Sequence, residues 1–252
     1  MLTNHEILKI NEIAYQAGNE ILKIYDTTFE VEIKDDNSPL TIADKKSHQI
    51  IEMGLTNLFP NIPILSEEGV SIDYSQRSKW KKFWLIDPLD GTKEFVKKNG
   101  EFTVNIALIE NGKSIFGSVY APYTKELFWA HKGMGAWKSL NKKKANKLCV
   151  SKSISKKRIV ISRSHPNNLV QSFIKQFNNY ELIRMGSSLK LCIIAEGKAD
   201  IYPRLGPTSE WDIAASQCVV EEAGGRVLEY KKDKPLTYNK KNILNPFFIV
   251  ST

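Results

Sequence analysis

Phe83-Trp84-Leu85-Ile86-Asp87-Pro88-Leu89-Asp90-Gly91-Thr92-Lys93-Glu94-Phe95 carries four apolar residues straight into two acids three positions apart. The apolar run predicts a strand over Phe83 to Ile86, and the segment beyond it, holding both acids, reads as a turn. Pro88 fixes one φ angle, and Gly91 lets the backbone reverse closely past whatever is bound. Two neighbouring like charges are costly unless a cation neutralises them. A hard divalent metal suits the pair, because Mg²⁺ takes oxygen ligands from carboxylates, backbone carbonyls and water. An isolated Asp-x-x-Asp-Gly can equally be a capped turn, so other acids must decide.

Those acids recur at element ends. Ser66-Glu67-Glu68-Gly69 follows its own apolar strand, Ile62 to Leu65. Trp211-Asp212-Ile213-Ala214-Ala215 puts an acid at the start of an apolar helix, where an N-cap or first-turn role favoured by the helix dipole would also account for it. Asp44 stands in the same way in the first turn of a helix read over Thr41 to Phe59. Acids so placed suit two-metal phosphoester hydrolysis, which needs carboxylates and no Cys or His nucleophile.

The chain has 252 residues, 42% hydrophobic and 25% charged, with 36 Lys plus Arg against 28 Asp plus Glu and a net charge of +8. This composition belongs to an ordinary globular protein of one large or two small domains. Cys149, Cys192 and Cys218 form no CxxC pair. A disulfide framework and a zinc ribbon are therefore unsupported, a reducing cytosol is the expected setting, and the thiols are expected to be small buried groups. No apolar run approaches the roughly 18 residues of a membrane span. The lysine clusters, such as Lys142 to Lys144, read as solvated faces or as a field attracting polyanions. No recognition-helix or RNA-binding signature accompanies them, so a nucleic-acid partner is not expected.

Ile7, Ile10, Ala14, Ala17, Ile21 and Ile24 mark one face of a helix from Thr3-Asn4 to Asp26. A short strand, Phe29 to Lys34, and a turn over Asp35 to Pro39 precede the helix that carries Asp44. Phe102 to Leu108, Asn111-Gly112 and Ile115 to Tyr120 read as a hairpin, with further strands at Leu127 to Ala130 and Gly135 to Lys138. After Ser139 to Lys147 strands and helices alternate: Arg158 to Ser162, Asn168 to Phe177, Tyr180 to Ile183, Ser188 to Glu196, Ala199 to Tyr202, Trp211 to Ala223, Arg226 to Tyr230 and Phe247 to Val250. The expected division is residues 1–147, a metal-binding α+β domain with an antiparallel sheet, and 148–252, an α/β domain with a smaller mixed sheet that completes the site.

The signatures at Asp87 to Thr92 and Trp211 to Ala215 resemble the Asp-Pro-Ile/Leu-Asp-Gly-Thr and Trp-Asp-x-Ala-Ala motifs of the lithium-sensitive, magnesium-dependent phosphatase superfamily of inositol monophosphatases. Leu65 to Glu68, Asn99 to Ala107, Ile161 to His165, Gly186 to Lys190 and Tyr202 to Arg204 resemble its bisphosphate nucleotidase branch, and the likeness runs through essentially the whole chain. Glu94 stands where inositol monophosphatases usually have Asn, as in the nucleotidase branch. The resemblance implies a layered α-β-α-β-α sandwich. It implies that Glu67, Asp87 and the Leu89 carbonyl hold one Mg²⁺, that Asp87, Asp90 and Asp212 hold a second, and that Asp44 and Thr92 activate the attacking water, with or without a third ion.

By the same resemblance Glu67, Leu89, Asp90, Gly91, Thr92 and Asp212 also line the substrate, Glu67 counts with the catalytic groups, and Ser187, Lys190 and Arg204 contact the second phosphate or ribose, with His165 near the base. The implied activity removes the 3′-phosphate of adenosine 3′,5′-bisphosphate, in sulfur metabolism, with 3′-phosphoadenylyl sulfate a related substrate. An inositol monophosphate is the neighbouring alternative. A covalent aspartyl-phosphate mechanism needs its acids two apart, not three. The implied protein is a cytoplasmic monomer or homodimer, compatible with peripheral attachment to the inner membrane.

Overall fold

In the computed structural model, residues 1–28, 30–33, 39–151, 155–164 and 167–252 are described. Helix α1 (Asn4–Tyr25) opens on a capping box in which the Glu6 amide donates to Thr3 Oγ1 and the Thr3 amide to Glu6 Oε2, at 3.2 and 2.7 Å. Strands β1 (Val31–Ile33) and β2 (Pro39–Thr41) pair antiparallel. Thr41 then caps α2 (Ile42–Leu58). Of the expected strand and turn before it, Phe29 and residues 34–38 lie outside the described residues.

The first sheet has seven strands in sequence order: β3 (Ile64–Ser66), β4 (Lys82–Asp90), β5 (Thr103–Glu110), β6 (Lys113–Ala121), β7 (Glu126–His131), β8 (Gly135–Leu140) and β9 (Asn146–Lys147). All neighbours are antiparallel except β3 and β4. The β5–β6 hairpin turns through Asn111 and Gly112, both left-handed at φ 50° and 73°. That is the backbone a two-residue turn needs to match strand twist, and Asn-Gly supplies it at low cost. Short helices α3 (Tyr74–Arg77) and α4 (Thr92–Val96) follow β3 and β4.

The second sheet is mixed: β10 (Lys157–Ser162), β11 (Tyr180–Met185), β12 (Ile201–Arg204), β13 (Arg226–Glu229) and β14 (Phe248–Ser251), in the order β11-β10-β12-β14-β13. Between its strands run α5 (Asn168–Ile174), α6 (Leu189–Ala195) and α7 (Glu210–Glu222).

Alternation along the strands separates two cores. Trp84, Ile86, Val104, Ile106 and Leu108 face α1 and α2, joining Ile10, Ile21, Ile51 and Leu55. Phe83, Leu85, Ala107 and Ile109 face the other way, onto α6 and α7 and, through Tyr202, Val227 and Val250, onto the second sheet. Helix α5 covers the far face with Ile174 against Ile159 and Ile161. The order α1α2, sheet, α6α7, sheet, α5 is the five-layer α-β-α-β-α sandwich expected. Every residue of α6 is buried, as a helix between two sheets requires.

Three expectations are corrected. Strand β4 does not end at Ile86 in a turn but runs on to Asp90. The helix after Asn168 stops at Ile174, short of Phe177. Cys149 is exposed, unlike Cys192 and Cys218, because it follows the short edge strand β9 at the surface.

Candidate active site

The site begins with an irregularity in β4. Side chains three apart on a regular strand point to opposite faces. Here Asp87 pairs with Asn105 and Asp90 with Thr103, so three steps on β4 match two on β5. This bulge returns Asp90 to the face that Asp87 occupies. Pro88 fits within it because β3 stops at the Ser66–Ile86 pair, leaving no strand beyond to require the amide that proline lacks. The Leu89 amide donates to Asp87 Oδ1 at 3.1 Å, and Ser47 Oγ donates to the Pro88 carbonyl at 2.7 Å. Because β3 runs parallel to β4, Glu67 emerges at the same end, its amide 3.2 Å from the Ile86 carbonyl.

Asp212 arrives from the opposite layer. It is the third residue of α7, and its Oδ2 accepts the Ser209 amide at 3.0 Å in a capping box. Helix α7 sits against β5, β6 and β7 through small residues, among them Ala107, Ala130, Ala214 and Ala215. Gly117 on β6 makes this approach possible: a Cβ there would lie 2.0 Å from the Ala215 carbonyl oxygen. Ser114 Oγ also donates to the Ala214 carbonyl at 2.7 Å. The Ala-Ala of the Trp211 motif is thus the contact surface that brings Asp212 down to Asp87.

One carboxylate oxygen each from Glu67, Asp87 and Asp212 lies within 4.8 Å of the others. Asp90 lines the same cavity but stands outside that trio; its Oδ2 accepts the Ser188 amide at 2.5 Å and Asn105 Nδ2 at 3.5 Å. Asp44 is buried behind Thr92, and does not line the cavity. Asp44 Oδ2 accepts the Thr41 amide and hydroxyl at 2.8 and 2.7 Å, while Oδ1 accepts Thr92 Oγ1 at 3.2 Å. Thr92 Oγ1 also stands 3.2 Å from the Leu89 carbonyl.

Across the cavity, of about 220 Å³, lie Ser187, Lys190 and Arg204. Ser187 holds a left-handed φ of 45°, and its carbonyl accepts Lys190 Nζ at 2.5 Å. Lys190 is buried within α6, not solvated, with its ammonium 5.6 Å from the Tyr202 ring. Arg204 donates to Thr208 Oγ1 and the Pro207 carbonyl. His165 lies outside the described residues. The sequence reading missed Tyr202, Ser162 and Thr208 as wall residues. Tyr202 and Ser162 could have been found, since they lie in the Tyr202–Arg204 and Ile161–His165 runs already singled out; Thr208 depends on how distant layers meet. A second compartment of about 640 Å³, walled by Ile161, Val170, Pro203 and Leu205, shares Lys93, Ser162, Tyr202 and Arg204 with the first.

Burial pushes the Asp87 carboxyl well above its ordinary range, and the neighbouring charges of Glu67, Asp90, Asp212 and Asp44 push it further. Asp212 rises for the same reasons, burial first and then Asp90 and Glu67. Asp90 is raised by burial, with Lys190 and the Ser188 amide opposing. Acids crowded in this way are relieved by a cation bound among them. The trio offers hard oxygen donors and no His or Cys, which fits Mg²⁺ chemistry and disfavours softer metals. The thiols of Cys192 and Cys218 are driven up by burial and play no nucleophilic part.

A phosphatase with acids on two facing layers is what this fold and site define. The model of the inositol monophosphatase family matches residues 3–247. The 3′(2′),5′-bisphosphate nucleotidase CysQ of Shigella flexneri is 44% identical over 246 residues, 96% of this chain and 98% of that protein. The crystal structure of CysQ from Bacteroides thetaiotaomicron superposes with a TM-score of 0.87 at 42% identity, covering 98% of this chain and 97% of the other. The Thermotoga maritima IMPase superposes with a TM-score of 0.81 at 25% identity, covering 99% and 92%. The chain belongs to the inositol monophosphatase family, whose members are metal-dependent, and is a phosphoric monoester hydrolase. Among the described residues no helix is long and apolar enough to cross a membrane.

Proposed function

We propose that this protein is an Mg²⁺-dependent 3′(2′),5′-bisphosphate nucleotidase that converts adenosine 3′,5′-bisphosphate to AMP and phosphate, with 3′-phosphoadenylyl sulfate as a second substrate. The observation that carries the reading is the pairing of an acidic trio, oxygens within 4.8 Å, with Lys190 and Arg204 on the facing wall of one cavity. One phosphate sits at the acids and the second at the cations, while the adjoining compartment, where apolar walls alternate with Asn167, Gln171 and Ser164, is large enough for a nucleobase. A compact inositol ring would leave that compartment unfilled. The naming of relatives over nearly their whole length supports the same choice.

Glu67, Asp87 and the Leu89 carbonyl would hold one ion, and Asp87, Asp90 and Asp212 a second. Mg²⁺ there would acidify water and stabilise the charge that builds on the phosphate. The proton leaves the attacking water to Thr92 Oγ1 and passes to Asp44 Oδ1, 3.2 Å away. A threonine hydroxyl is a poor base alone and needs that carboxylate. Asp44 is held for the task because its other oxygen is fixed by Thr41.

Phosphate release from adenosine 3′,5′-bisphosphate, 3′-phosphoadenylyl sulfate and inositol 1-phosphate, each with Mg²⁺ and with EDTA, tests the reading. Turnover of the bisphosphate that vanishes in EDTA is the expected outcome. A preference for inositol 1-phosphate by orders of magnitude would move the protein to the neighbouring branch.

A further inference from the structure

Three buried polar groups meet beside the acids, two on the face of the first sheet and one from the layer packed on it, and neither metal binding nor proton transfer uses them. Thr103 and Asn105 are the β5 partners of Asp90 and Asp87, and Ser188 stands on the turn that opens α6. All three are at most 1% exposed. Ser188 Oγ donates to Asn105 Oδ1 at 2.8 Å. A serine hydroxyl has one proton, so the 2.8 Å contact between Thr103 Oγ1 and Ser188 Oγ must have Thr103 as donor. Asn105 Nδ2 and the Ser188 amide then both donate to Asp90 Oδ2, at 3.5 and 2.5 Å. The chain has one sense throughout: Thr103 hydroxyl to Ser188 hydroxyl to Asn105 carbonyl oxygen, and Asn105 amide to Asp90. A flipped Asn105 amide would set Oδ1 against the Asp90 carboxylate, two acceptors facing each other, so this orientation is the one that satisfies both.

This ring spans two layers of the fold. At one end is Asp90, on the acidic side of the cavity. At the other is the turn Gly186–Ser188, whose middle residue carries the strained φ of 45° and whose carbonyl holds Lys190. A Cβ on Gly186 would lie 2.6 Å from Glu94 Cγ and 2.9 Å from the Glu101 carbonyl, so the turn packs directly on that layer with no space for a side chain between. The Glu101 carboxylate secures it further, accepting the Gly186 amide at 2.7 Å. Neither Thr103 nor Asn105 lines the cavity; each acts through Ser188 and Asp90.

We propose that Asn105 and Thr103 are positioning residues that lock the phosphate-facing turn Gly186–Ser188 onto Asp90, so that cation binding at the acids and anion binding at Ser187 and Lys190 strengthen each other. The inference rests on the proposed metal and nucleotide reading for its ligands. By linkage, the factor by which AMP tightens Mg²⁺ must equal the factor by which Mg²⁺ tightens AMP.

The test uses the full chain. Mg²⁺ is titrated by thermal unfolding with and without AMP, and AMP by calorimetry with and without Mg²⁺. In the unaltered protein both factors exceed one and agree. Asn105→Ala and Thr103→Val, the second nearly isosteric, are expected to raise the Mg²⁺ midpoint by about tenfold, the lower range for residues that orient metal ligands, and to bring both factors to one. Thr103→Ser keeps the hydroxyl and restores them. Asn105→Asp, which sets a charge against Asp90, is expected to be worse than Asn105→Ala. Wild-type midpoints and wild-type coupling in folded Thr103→Val and Asn105→Ala overturn the proposal; if Asn105→Ala does not fold, Thr103→Val decides. If the unaltered protein binds Mg²⁺ but neither binds AMP nor hydrolyses the bisphosphate, the nucleotide reading has failed. Inorganic phosphate then replaces AMP in the same cycle, and an unchanged midpoint and coupling in Thr103→Val still overturn the positioning role.

Discussion

Replacing Gly117 by Ala adds one methyl group on β6, a strand that carries none of the acids, and the structure gives its consequence a size. The new Cβ would lie 2.0 Å from the Ala215 carbonyl oxygen, 2.7 Å from its carbon and 2.8 Å from its Cα, all backbone atoms. Ordinary contact begins near 3.4 Å, so α7 and β6 must separate by about 1.4 Å, the difference between the two. No rotamer can absorb this. Overpacking of this kind costs about 1–3 kcal/mol. For a chain of this size that lowers Tm by about 2–12 °C, at roughly 2–4 °C per kcal/mol. Ala215 lies one turn beyond Asp212 on the same helix, so withdrawal of α7 carries Asp212 away from Glu67 and Asp87. A misplacement of about 1 Å costs about 100-fold in rate. Gly117→Ala is therefore expected to lose about 100-fold in kcat/KM for the bisphosphate, measured by phosphate release, together with the fall in Tm. A variant with the lowered Tm but unchanged kcat/KM would mean that the sheet yields and that this contact does not set Asp212. Unchanged values of both would refute the packing argument altogether.

Asp44→Asn keeps an oxygen for the Thr41 cap but cannot accept the Thr92 proton; kcat should fall by about 10²–10⁴ while the Mg²⁺-induced rise in Tm survives, and near-normal kcat would remove Asp44 as the base. Lys190→Ala or Arg204→Ala should raise KM for adenosine 3′,5′-bisphosphate much more than for a simple phosphomonoester; equal effects on both would take these residues out of the specificity site. Mg²⁺ at about 100 times its dissociation constant should stabilise the fold by about 2.7 kcal/mol over EDTA, and that increment should shrink as the solution is acidified. The sign follows from Asp87 and Asp212, whose folded-state values lie above the unfolded ones: metal-free, each favours folding when protonated and loses that contribution as pH rises through its folded value, so acid relieves the same repulsion the metal relieves. Calorimetric Tm values from pH 5 to 8 in both conditions check it, and an increment that grows on acidification would refute it.

Helices α1 and α2 were legible in the sequence because their signals are local: an apolar stripe and a capping threonine three residues ahead of an acid. The end of β4 was not. Pro88 and Gly91 argue locally for a turn, and what permits a strand to run through Pro88 is that β3 stops at Ser66 and β5 accommodates an extra residue. Neither fact is written between Phe83 and Phe95. Lys190 was ambiguous for a similar reason. A helix enclosed by two sheets has no polar stripe to mark its outside, so its single lysine does not announce whether it faces solvent or a cavity. Of the expected acids, Glu67, Asp87 and Asp212 meet, while Asp90 shares their cavity from beside them and Asp44 stands behind Thr92. Which acids approach one another was set by the bulge and by the close contact of α7 at Gly117.

The ordinary and the catalytic accounts of these aspartates turn out to be the same account. Asp44 and Asp212 are capping-box acids, each with Oδ2 taken by the amide of the N-cap residue, at 2.8 and 3.0 Å. Asp87 closes a turn on the Leu89 amide through Oδ1, and Asp90 accepts the Ser188 amide through Oδ2. In every case one oxygen is fixed by a backbone donor. A donor of that kind sets the side-chain rotamer without a partner side chain that could itself move, and at Asp90 and Asp212 it favours the charged form, partly offsetting the burial that raises the carboxyl. Hydrogen bonds of this type add orientation where crowded charge alone would splay the acids apart. The spacing of three between Asp87 and Asp90, which would be wrong for a regular strand, is what leaves room for the Leu89 amide between them while the bulge keeps both on one face. Local capping chemistry is therefore the means by which three layers, α2, the first sheet and α7, orient their aspartates around one site, and a site built this way needs small residues and backbone amides around it as much as it needs the carboxylates.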